Sequence, residues 1–109
     1  MSRLLILGLL LAAAPASTDP SPELQAWSDC LLAHAQVEAS GSARDTAIAV
    51  AGLNLCGPEK DRYALALVRQ FSSSPPREAS PAARAVSQLR EDQIRLTRWM
   101  LAFIRRARE

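Results

Sequence analysis

Beyond residue 20 the apolar positions recur at steps of three and four, and serine, proline or glycine mark the breaks between runs. Leu24, Trp27, Leu31 and His34 form the first stripe, with Cys30 and Val37 beside it. Ser21-Pro22-Glu23 offers an N-cap, a proline at the first helical position and an acid at the helix's positive end, while Ser40-Gly41-Ser42 stops the run. The spacing predicts a helix over 22–39.

Ser42 and Asp45 resemble a capping box, after which Ala47, Ile48, Ala51 and Leu55 mark one face of a second helix ending near Cys56. Gly57 is expected to close it in a left-handed C-cap. Pro58-Glu59 then opens a third helix, with Ala64, Leu67, Val68 and Phe71 on its inner face, so that the second and third helices form one kinked rod. Ser72-Ser73-Ser74-Pro75-Pro76 is the strongest breaker, because consecutive prolines cannot continue a helix. Ser80-Pro81 repeats the cap-plus-proline signal, and residues 82–107 run without another glycine or proline. The fold expected is therefore all-α: a helical hairpin with a kinked second arm, a linker over 75–81, and a long C-terminal helix over 82–109.

The first sixteen residues differ from the rest. Arg3, the apolar run over 4–14 and the small residues of Ala14-Pro15-Ala16 read as an export signal cut after Ala16, and the run is too short to span a bilayer. Export to the periplasm or beyond gives the two cysteines a meaning, since an oxidising compartment favours a bridge. Cys30 and Cys56 are expected to pair within the segment 17–74. Closing a loop of that length stabilises a small domain by about 3–4 kcal/mol in the chain-entropy model. The pair is not a C-x-x-C, and His34 is the one further soft ligand, so neither redox catalysis nor a metal is read from it. The disulfide also constrains the hairpin. A turn at Gly41 would leave Cys30 about a helical turn out of register with Cys56, whereas a second helix starting at Asp45 aligns them.

Charge adds an asymmetry. Acids dominate up to Asp61, and arginines dominate from Arg62 onward, although the 109-residue chain is only +2 overall. Attraction between the halves of one bundle accounts for this as well as an anionic partner does. In the last helix, Val86, Leu89, Gln93, Leu96, Met100 and Phe103 form a seam, Ile94, Leu101 and Ile104 widen it, and Arg84, Arg95, Arg98, Arg105 and Arg106 gather behind, with Trp99 at the edge. The contact region expected for a partner is Arg95, Arg98, Trp99, Arg105 and Arg106. That partner is another protein or a second copy, and the alternative is an anionic membrane surface. Nucleic acid is not expected, because no aromatic stacking pattern or groove-reading motif accompanies the arginines.

Nothing in the chain reads as catalytic machinery. His34 stands on the inner stripe as a core or edge histidine, Asp29 five residues before it does not share its face, and Glu23, Asp45, Glu59, Glu91 and Asp92 fall at caps or on solvated faces. No phosphate-cradling glycine loop or metalloprotease motif occurs, and no cofactor is implied. The leader, Trp27-x-x-Cys30 and a cysteine on an alanine-rich helix give a compositional likeness to small bacterial envelope proteins. The function expected is that of a non-catalytic binding or structural protein of the envelope.

Overall fold

A computed structural model describes residues 19–73 and 79–109. The segment expected to be an export signal and the Pro75-Pro76 break lie outside the described residues. Four helices and no strands are found among those residues: α1 (Ser21–Glu38), α2 (Asp45–Leu55), α3 (Gly57–Ser72) and α4 (Pro81–Ala107). The protein is a small all-α bundle with a Cys30–Cys56 disulfide.

Two of the expected caps differ in detail. Asp19, rather than Ser21, accepts at the start of α1, taking the Ser21 amide at 3.0 Å and the Ser21 hydroxyl at 2.7 Å. These bonds to the charged form hold the Asp19 carboxyl below the usual carboxylate range. Arg44 occupies the N-cap position of α2 with no side-chain bond, and Asp45 becomes a first-turn acid. By contrast, Ser80 caps α4 as expected, its Oγ accepting from the Ala83 amide at 3.1 Å.

The rod of α2 and α3 bends at Cys56 alone. The Cys56 amide still donates to Gly52 O at 2.9 Å and the Lys60 amide to Cys56 O at 3.1 Å, so the ladder runs into and out of the bend. Gly57 is not a left-handed cap, since no glycine among the described residues has positive φ. Pro58 supplies the break instead, because it has no N–H for the carbonyl one turn back. Cys30 and Cys56 close this corner against α1, with Cα atoms 6.0 Å apart.

The core contains Trp27, Leu31 and Ala35 of α1, Ile48 and Ala49 of α2, Tyr63 and Leu67 of α3, and Ala85, Met100 and Ile104 of α4. Two faces are rotated from those expected. On α2, Ala47, Ala51 and Leu55 point outward, and Ile48, Ala49 and Gly52 point inward. The reason is close approach: a Cβ on Gly52 would stand 3.0 Å from His34 Cδ2, 3.4 Å from Met100 Sδ and 3.5 Å from Leu31 Cδ2. The one position without a side chain is where α2 meets α1 and α4. On α4, Val86 and Ile94 are 56% and 48% exposed, and Ala85 and Asp92 turn in to replace Val86 and Gln93 on the central seam.

One arginine ties the ends of the bundle. Arg108 donates from Nε to Ala39 O at 3.0 Å and from a terminal nitrogen to Gly41 O at 3.1 Å, and its other terminal nitrogen pairs with Asp45 Oδ1 at 2.7 Å. It therefore caps the carbonyl end of α1, where the helix dipole favours a cation, and pairs with the acid in the first turn of α2. The internal reading of the charge asymmetry holds at this point: a basic residue of the second half grips an acidic residue of the first. Replacing Arg108 by alanine should lower stability by about 1–2 kcal/mol, less than a buried charged hydrogen bond because the group is partly in water, as read by denaturant unfolding.

The two glycines of the rod should respond in opposite directions. Gly52→Ala gains up to about 1 kcal/mol of helix propensity but crowds three packed side chains, at a typical cost of about 1–3 kcal/mol, so its melting temperature should fall. Gly57 has nothing within 4 Å of an added Cβ, and Gly57→Ala should leave the melting temperature equal or higher.

Candidate functional site

The candidate site is built where the first half of α1 lies along the middle of α4. Leu24 and Ser28 from α1, with Leu96 and Trp99 from α4, line an open cavity of about 350 Å³. A second, more polar cavity adjoins it, reaching Asp19, Tyr63, Phe71 and Gln88. Leu24, Asp92 and Arg95 border both, so the two are lobes of one groove with the Asp92–Arg95 ion pair between them. Helical spacing explains the lining: Leu24 and Ser28 are one turn apart on α1, as are Arg95 and Trp99 on α4.

Asp92 is the anchor of this region. It is only 2% exposed, against the expectation of a solvated or capping carboxylate. The Tyr63 hydroxyl donates to its Oδ2, Gln88 Nε2 reaches both oxygens at 3.2 Å, and the Arg95 guanidinium pairs with Oδ1. A carboxylate held by three donors, one of them cationic, can be buried. Tyr63 itself packs beside Trp27, ring centroids 5.9 Å apart. Burial, and then the adjacent Asp92 carboxylate as hydrogen-bond acceptor and negative charge, pushes the Tyr63 hydroxyl above tyrosine's ordinary value.

The sequence-derived contact residues are distributed around α4. Arg95 serves Asp92 at one end of its side chain and is otherwise largely in water. Trp99 is 42% exposed and walls the apolar lobe. Arg98, Arg105 and Arg106 are exposed, and among the described residues no carboxylate lies within ion-pairing reach of any of them. By the helical period Arg98 and Arg105 share one edge of α4, and Trp99 and Arg106 another. Arg84, grouped with them by sequence, instead stacks on Phe71 with its guanidinium carbon 4.3 Å from the ring centroid. Asp29 accepts from Gln25 Nε2 at 2.8 Å and makes no pair with His34.

Sequence reasoning missed Asp92 and Tyr63. The usable signal was spacing: Ala85, Leu89, Asp92, Leu96 and Met100 fit a seam of threes and fours as well as the series through Gln93 does. Comparison with known proteins adds no relative: no protein-family model, no curated protein and no solved structure matches the chain.

The single tyrosine makes a pH test direct. Because its folded value is raised, its contribution to stability is complete below about pH 10, the ordinary tyrosine value, and is lost as the pH climbs towards the raised one. Ultraviolet titration should therefore show phenolate appearing only with the loss of helical circular dichroism. Tyr63→Phe should cost about 1–3 kcal/mol, since Asp92 then stays buried with one donor fewer.

Proposed function

We propose that this is a non-catalytic binding protein of the bacterial envelope whose α4 surface engages another protein. The observation that carries this reading is Trp99, a large aromatic left 42% exposed on the wall of an open apolar lobe. Aromatic anchors beside pockets supply much of the energy of protein interfaces, and arginine is enriched with them. Arg98, Arg105 and Arg106 flank that wall without acidic partners among the described residues, which suits a partner presenting an apolar side chain and carboxylates. The disulfide supports an exported location. No described helix is long and apolar enough to cross a membrane.

The non-catalytic reading draws on the same geometry. Asp92, Tyr63 and Arg95 satisfy one another as a structural network, and His34 lies against Gly52 with no acid or nucleophile hydrogen-bonded to it. The unpaired arginines also suit an anionic membrane surface, and salt distinguishes the two readings, because lipid attraction is screened within about 8 Å at physiological ionic strength.

Replacing Arg98, Trp99 and Arg105 together by alanine should abolish crosslinking to a defined partner in the native envelope while helicity is unchanged. A photo-crosslinker at position 106, on the same edge of α4 as Trp99, should yield the same adduct, and one at exposed Leu65 of α3 should not. Adducts that survive the triple substitution would refute the assignment. Sedimentation with anionic vesicles that salt reverses would replace it with the membrane reading.

A further inference from the structure

The groove between α1 and α4 also has the size and lining of a small-molecule site. Its apolar lobe, about 350 Å³, falls in the range that holds small ligands, and Leu24, Leu96 and Trp99 supply most of its wall. Ser28 brings little polarity to that wall, because its hydroxyl donates to Leu24 O within α1 at 3.0 Å. Asp92 brings a charge, but one already held by Tyr63, Gln88 and Arg95 and only 2% exposed. Arg95 is the polar group left to meet a ligand. One terminal nitrogen pairs with Asp92 Oδ1, yet 71% of the side chain is exposed, so guanidinium donors remain where the two lobes join. Arg98 and Arg106, exposed and with no acid in ion-pairing reach among the described residues, make the surroundings of the lobe net positive. Asp19 borders the polar lobe alone and is bonded to Ser21.

We propose that this groove binds a single-chain amphiphile of the fatty-acid type, with its chain in the apolar lobe against Trp99 and its carboxylate on Arg95. A guanidinium offers a planar fork of donors that matches a carboxylate, and the apolar wall gives the chain a place out of water. Asp92 acts as a positioning residue, since its buried carboxylate holds Arg95 at the edge of the lobe. An ammonium head would meet Arg95 as a like charge. The ligand occupies the space offered above to a partner's apolar side chain, but the inference does not rest on that partner.

The probes are octanoate, decanoate and dodecanoate, each below its micelle concentration, titrated into the folded, disulfide-bonded protein. One carboxylate should bind per chain, and affinity should rise about fourfold per added methylene until the lobe is full. Dodecylammonium, with the same chain and the opposite charge, should bind weaker than dodecanoate by about tenfold or more. Ser28→Leu and Leu24→Phe, each first shown by circular dichroism to be folded, fill the lobe from its α1 wall and should each weaken dodecanoate by about tenfold or more. Leu65→Phe, on the exposed face of α3, should leave the affinity unchanged. No saturable binding, several equivalents per chain, an ammonium bound as tightly as the carboxylate, or affinity indifferent to both wall substitutions would each overturn the inference. These failures leave the crosslinking outcome untouched, so the ligand and the protein partner are refuted separately.

Discussion

The bond between Cys30 and Cys56 fixes the register on which the remaining packing depends. It joins the middle of α1 to the bend between α2 and α3, so one covalent link places three helices. With that corner set, Gly52 falls opposite Leu31 and His34, and only a residue without a side chain fits there. The inward face of α2 follows from the close approach. Ile48 and Ala49 turn to the core, and Leu55 is left in water although its hydrophobicity would place it inside. In a chain this short, a crosslink worth about 3–4 kcal/mol outweighs the burial of one leucine, worth about 1.5–3 kcal/mol.

A second constraint acts where Asp92 is buried on α4. A carboxylate there is tolerable only with its donors in place, so Tyr63 of α3, Gln88 and Arg95 are held in one arrangement. Sliding or rotating α4 against α3 would leave a charge without partners, which an apolar contact would not penalise so sharply. The same network fixes the orientation of the groove, since Arg95 stands between its lobes and Trp99 lies one turn further on.

Much of this architecture was legible in the sequence. Helix starts and stops were readable because proline, serine and glycine act locally: the Ser80-Pro81 start, the loop that ends at Asp45 and the cysteine pairing all follow from near neighbours or from loop geometry. Helix faces were less legible. Ala47 and Ala49 are chemically alike, and which of them turns inward depends on Gly52 meeting another helix. Asp92 was misread for the same reason. Its burial is decided by a tyrosine twenty-nine residues away in the chain, and no local pattern announces that pairing. The candidate site was half legible: Trp99 and the arginines stand out by type and period, but the α1 wall formed by Leu24 and Ser28 exists only once the helices pack.

The grip of Arg108 on the far end of α1 bears on the order in which the molecule completes itself. Its acceptors, Glu38, Ala39 and Gly41, lie 67 to 70 residues earlier in the chain. Until Arg108 docks, those carbonyls are satisfied by water. Contacts of such separation carry a large closure entropy and tend to form after local ones. The latch on the carbonyl end of α1 thus closes late in folding, after the local turns of each helix have formed.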